Sequence, residues 1–135
     1  MTARIAGNDE LPTQTYTVTR ADLVAYADAA GDPNPIHQDE EVARSVGLPG
    51  VIAHGMYTLA LAARACDTWA GGPGRVVELG AKFTKPVVVP AGDAGVEVVV
   101  AGVVKKVEDG LATVSLTVTC GEDKVLGMPT AVLRA

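Results

Sequence analysis

From His54 to Trp69 the chain reads His-Gly-Met-Tyr-Thr-Leu-Ala-Leu-Ala-Ala-Arg-Ala-Cys-Asp-Thr-Trp, small or apolar at nearly every position. A surface helix confines its apolar residues to one stripe, whereas a helix that is apolar on nearly every side asks for burial all round. This run therefore predicts a central helix that another part of the chain must wrap. The wrapper is the remaining half, which reads as strands over Val76 to Pro86, Gly95 to Val107, Leu111 to Cys120 and Val125 to Leu133. In the third of these, Val114, Leu116 and Val118 alternate with Ser115, Thr117 and Thr119, giving one face to a core and one to water. Asp109-Gly110 and Gly121-Glu122-Asp123 are turn sequences suited to antiparallel neighbours.

With 135 residues, 48% of them hydrophobic, the chain can bury one core and is too short for two ordinary domains, so residues 1–135 are expected to form a single domain. Trp69, Phe83 and three tyrosines are its only aromatic residues, which leaves Val, Leu and Ala to fill that core by close packing. Ahead of the central run, Thr15 to Val18 reads as a short strand, and Thr19 with Asp22 has the spacing of a capping box. Leu23, Tyr26, Ala27 and Ala30 follow at helical spacing, and Gly31 is suited to end that helix. Asp39 can cap a shorter helix through Val46, ended by Gly47.

The net charge of -5, with basic residues scattered apart from Lys105-Lys106, argues against a nucleic-acid partner. Arg64, Arg75, Lys82 and Lys85 are loose candidates for meeting a phosphorylated cofactor or an acidic carrier protein, but they read more plainly as solubilising charges. No basic-then-apolar leader opens the chain and no apolar run is long enough to span a bilayer. The expectation is a soluble, cytoplasmic protein with no membrane association. Cys66 and Cys120 fit no metal-ligand spacing and read as buried, reduced thiols.

Residues 31 to 37, Gly-Asp-Pro-Asn-Pro-Ile-His, carry the chemistry. Taken alone they could be a stiff turn in which Asp32 and Asn34 bond local amides and the prolines fix the dihedrals. Yet the chain's only two histidines, His37 and His54, both lie beside such loop-to-helix breaks. An imidazole with a carboxylate in reach gains orientation and charge compensation for moving protons. An exposed Gly55 amide at the positive end of a helix suits an enolate oxygen. His54 itself reads as a helix-end residue.

Asp32, Asn34, Pro35, Ile36, His37 and Asp39, followed by Ala53-His54-Gly55-Met56, closely resemble the signature of the MaoC-like (R)-specific enoyl-thioester hydratases and dehydratases. The stretch Asp67-Thr68-Trp69-Ala70-Gly71, through Phe83, to Val87-Val88-Val89-Pro90 resembles the beta-type subunit of the mycobacterial (3R)-hydroxyacyl-carrier-protein dehydratases. The resemblance implies an α+β hot-dog fold, an antiparallel sheet wrapped around one long helix. It also implies Asp32 and His37 as the catalytic pair, the Gly55 amide as the oxyanion donor, and Asn34, His54 and Met56 as residues shaping the site. Some members place a serine where this chain has Ala63, so that role does not carry over.

The implied reaction is the interconversion of trans-2-enoyl and (3R)-hydroxyacyl thioesters of coenzyme A or acyl carrier protein, a hydro-lyase activity with no metal and no other cofactor. A homodimer is expected, with a heterodimer containing a related hot-dog subunit as the variant that the beta-type likeness suggests. Two rival functions share the fold. A thioesterase of this class commonly uses a carboxylate on the central helix, and residues 56 to 66 contain none. A non-catalytic hot-dog subunit would have no need of an intact Asp32/His37 pair.

Overall fold

The computed structural model describes residues 5–135. Helix α1 (Arg20–Ala30) starts at the expected capping box: the Thr19 hydroxyl accepts the Asp22 N–H at 3.3 Å, and the Asp22 carboxylate accepts the Thr19 N–H at 2.9 Å. Gly31, in the left-handed region at φ 69°, ends it. Asp39 caps the short helix α2 (Glu40–Ser45) by accepting the N–H groups of Glu41 and Val42. The long helix α3 (Gly55–Ala70) follows the His54 cap and stops at Gly71, φ 87°.

Strand β1 (Glu10–Val18) opens the sheet, and β2 (Val76–Phe83), β3 (Val96–Glu108), β4 (Leu111–Cys120), the two-residue β5 (Asp123–Lys124) and β6 (Leu126–Arg134) complete it. The order is β1-β3-β4-β6-β2, with every pairing antiparallel and β5 joined to β4. β1 starts earlier than Thr15, because its first half is polar edge strand with no apolar alternation to read. β2 stops at Phe83 rather than Pro86. The chain there leaves the sheet and straps residues 51–53, with the Ala53 N–H donating to the Val87 carbonyl and the Val89 N–H to the Val51 carbonyl, both at 2.9 Å.

α3 lies across the concave face of the sheet. Leu61, Ala62, Ala65, Cys66 and Trp69 face it, against Val98, Val100, Val114, Val118 and Leu133 of the strands. At the C-terminal end of α3 the Trp69 indole rests on Gly102, where an added β-carbon would stand 2.9 Å from the ring. Its Nε1–H donates to the Pro12 carbonyl at 2.7 Å, tying β1 to the helix.

Burial all round is the one expectation for α3 that the structure corrects. Met56, Ala60 and Arg64 form an exposed face, Met56 at 58% exposure, and the Arg64 guanidinium lies 5.1 Å from the centre of the Tyr16 ring. Alanine reads as apolar wherever it stands, yet it is also the best helix former and costs little in water, so an alanine-rich run does not distinguish a covered face from an open one. Among the described residues, no helix is long and apolar enough to cross a membrane.

Candidate active site

The loop after α1 is built by its own side chains. The Asp32 carboxylate accepts the Asn34 N–H at 3.3 Å through Oδ1, and the Asn34 side-chain oxygen accepts the Ile36 N–H at 3.2 Å. Pro35 then opens a single 3-10 turn, Pro35–His37, closed by the Gln38 and Asp39 N–H groups on the Pro35 carbonyl. Asn34 thus holds the loop through the Ile36 N–H, and the proline geometry brings His37 back toward the start of α3.

His37 is buried, and its Nδ1 lies 2.8 Å from the Ile52 carbonyl oxygen. A carbonyl only accepts, so Nδ1 carries the proton and Nε2 is left as the basic nitrogen of the neutral ring. Ile52 belongs to the segment strapped by residues 87–89, so this tautomer is set by main chain held in the core.

His54 is more than a helix-end residue. It is 2% exposed, its ring stacks on His37 with centroids 3.7 Å apart and planes 24° from parallel, and its Nε2–H donates to the Asp32 carbonyl at 3.1 Å. The Asp32 carboxylate oxygen Oδ2 is 4.0 Å from the same nitrogen. Tyr26 packs on His54 at 4.8 Å between centroids, and Tyr57 meets Tyr26 edge-on at 5.2 Å. Sequence periodicity identified Tyr26 only as a face of α1. Its place in the site depends on how α1 leans on α3, which no local spacing reports.

Asp32, His37 and His54 each offer an atom within 4.8 Å of those of the other two. That is close enough for one water to bridge an acid and a base through hydrogen bonds of about 2.8 Å each. The same donor types can ligate a divalent ion. Nδ1 of His37 and Nε2 of His54 are already committed to carbonyls, so only the other nitrogen of each stacked ring could turn to a ligand.

These groups line a pocket of about 380 Å³ with Tyr26, Gly55, Met56 and Phe83. No side chain caps α3 at its N-terminus among the described residues, so the first-turn N–H groups carry the helix's positive end into the pocket. A second, more apolar cleft of about 440 Å³ adjoins it, lined by Ile52, Ala53, Thr58, Val87, Val125 and Leu126, with Lys85 also on its wall. Gly55 and Phe83 line both. Ala63 is half-buried farther along α3 and has no hydroxyl to offer.

Three of the four basic candidates have separate partners. Arg75 reaches the carbonyls of Arg134 and Ala135, Arg64 stacks on Tyr16, and Lys85 pairs with Asp123 at 3.2 Å. Cys66 is fully buried, and burial pushes its thiol pKa up to about 12; Cys120, only partly covered, is also shifted upward by burial. The two thiols are unpaired, but only Cys66 is buried as expected, Cys120 being half-buried near the end of β4.

Residues 3–122 match the family model described as MaoC like domain. The 3-hydroxyacyl-thioester dehydratase X of Mycobacterium tuberculosis is 38% identical over 59% of this chain and 28% of its own length. A solved structure described as a MaoC-like dehydratase superposes with a TM-score of 0.91 at 38% identity, covering 96% of this chain and 40% of the other. A chain of the ChsH1-ChsH2 complex from Mycobacterium tuberculosis, 20% identical, shares the fold with a TM-score of 0.83 over 98% of this chain and 100% of its own. The chain thus spans well under half the length of the first two.

Proposed function

The chain belongs to the MaoC-like domain family, and from that premise we propose that it is an (R)-specific hydratase/dehydratase interconverting trans-2-enoyl and (3R)-hydroxyacyl thioesters. The observation that carries the proposal is the meeting of the Asp32 carboxylate and the His37 imidazole within 4.8 Å, in one pocket with the uncapped start of α3. Relatives among those it matches are named as a 3-hydroxyacyl-thioester dehydratase and a 3-hydroxybutyryl-CoA dehydratase, and the fold is the hot-dog arrangement of a sheet around one long helix.

In the hydration direction, Asp32 and His37 hold a water between them and take its proton as the oxygen attacks C3. The C2–C3 π electrons move towards the thioester carbonyl, whose oxygen accepts the Gly55 N–H, and one of the pair returns a proton to C2. Dehydration runs the same steps backwards. The tautomer set by Ile52 leaves His37 Nε2 free to accept the proton without first losing one. No step in this scheme calls for a metal or a redox group, and the site residues act as acid, base and amide donor.

The substrate is a thioester of coenzyme A or of an acyl carrier protein, with its acyl chain in the apolar cleft beside Gly55. The chain assembles as a dimer, by default with a second copy of itself. The complex of two different subunits that shares its fold makes a related hot-dog partner the alternative.

Loss of conjugated-enoyl absorbance from crotonyl-CoA and a longer enoyl-CoA, without thiol release, tests the reaction. Asp32→Asn and His37→Ala, folded as judged by circular dichroism, should each lower kcat at least about a hundredfold. Near-normal turnover in both would defeat the assignment, and thiol release would replace it with thioester hydrolysis.

A further inference from the structure

Building on the dehydratase reading, we propose that Phe83 is the chain-length-determining residue of the site: its ring divides the acid-base pocket from the apolar cleft and governs how much acyl chain passes between them. The two cavities share only Gly55 and Phe83 among their lining residues. At that junction the ring lies flush against the backbone, and a β-carbon at position 55 would stand 3.1 Å from two of its atoms and 3.3 Å from a third. A side chain at position 55 would therefore push the ring aside by a few tenths of an ångström.

The route of the acyl chain follows from the chemistry on each side. A thioester with its carbonyl at the Gly55 amide and C3 between Asp32 and His37 has its reacting atoms in the polar pocket. Everything beyond C4 needs an apolar wall, which the neighbouring cleft supplies through Ile52, Val87, Val125 and Leu126. A crotonyl group ends short of the junction, whereas a dodecenoyl group must cross it. Phe83 stands at the last position of β2, its Cα registered opposite Leu126, so the backbone is fixed while the ring projects. Phe83 is 57% exposed, so the ring has open space to turn off Gly55.

The test separates this inference from the reading beneath it by measuring binding and turnover independently. Butyryl-CoA and dodecanoyl-CoA are saturated and cannot be hydrated, so their affinities by calorimetry report the cavity alone. Relative to the unsubstituted protein, Phe83→Ala should shift the preference towards dodecanoyl-CoA about tenfold, and Phe83→Trp should shift it about tenfold the other way, the scale set by a few methylenes gaining or losing a pocket. Phe83→Leu should fall between. Hydration of crotonyl-CoA and dodecenoyl-CoA should follow the same ratios, carried mainly by KM, with thermal melts showing all variants folded.

Ratios that agree within about twofold across the series would overturn the partition, because a deleted or enlarged wall of a pocket changes discrimination by more than that. If hydration still depended on His37, the dehydratase reading would stand without it. Activity indifferent to His37→Ala would overturn that reading instead, while the binding ratios still decided the role of Phe83. Failure of the unsubstituted protein to bind either saturated acyl group, as the coenzyme A thioester or as the acyl-carrier-protein thioester, would overturn both.

Discussion

Because the His54 ring lies flat on His37 while its Nε2–H holds the Asp32 carbonyl, one buried side chain braces both members of the acid-base pair. We predict that His54 acts through these neighbours as a positioning residue. His54→Ala should lower kcat about a hundredfold, as misplacing a catalytic group by an ångström does, with KM changed far less. His54→Gln keeps a donor for the Asp32 carbonyl and should recover part of the loss; equal activity in the two variants would leave His54 with packing alone. Cys66 gives a second prediction at this scale. Burial raises its thiol from 9.0 to about 12, so the folded protein holds a proton there that the unfolded chain releases. The resulting stabilisation is complete below pH 9 and drains away as pH rises towards 12. Urea midpoints should therefore fall with pH from 8 to 10.5 less steeply in Cys66→Ala than in the parent, and parallel slopes would refute the linkage.

The packing of α3 on the sheet turns on one pair, the Trp69 indole and the bare backbone of Gly102. Gly102→Val should destabilise the fold by about 1–3 kcal/mol through overpacking, and the added Trp69→Leu should relieve part of that loss. Additive losses in urea denaturation would show that the two residues do not share a space. Elements with local causes were legible in sequence: the Thr19/Asp22 box, the Gly31 stop, and the Asp109-Gly110 hairpin, whose φ values of 54° and 76° are those of a tight two-residue turn. The loop that presents His37 was equally legible, since Asn34 and Pro35 act within a few residues of themselves. What stayed hidden depends on chain segments meeting across the fold. The stacking of His37 on His54, the strap of residues 87–89 over Ile52 and the ring of Phe83 on Gly55 all follow from how the sheet curls around α3. The polar half of β1 and the exposed face of α3 were misread for a different reason, that edge strands and alanine-rich helices do not sort by hydropathy.

At the scale of the whole molecule the sheet has two edges, and they differ. β1 shows water Glu10, Pro12, Thr13, Thr15 and Thr17, and Pro12 has no N–H to offer a neighbouring strand. β2, hydrogen-bonded only to β6 among the described residues, exposes Val77 at 51%. Both edges carry register shifts, so side chains rather than ladder geometry mark β2 as the edge that asks for cover. A dimer formed through β2 would continue the sheet from one protomer into the next and remove that open edge from both. Sedimentation velocity over a range of concentrations should then show a dimer, and Val77→Asp should convert it to a folded monomer. Val77 is exposed within its own chain, so the substitution should alter the fold's stability by no more than about 0.5 kcal/mol, while a carboxylate buried unpaired between two protomers costs far more. A monomer throughout for the parent protein would remove the homodimer, and mixing with a related hot-dog chain would then show whether β2 is reserved for a different subunit.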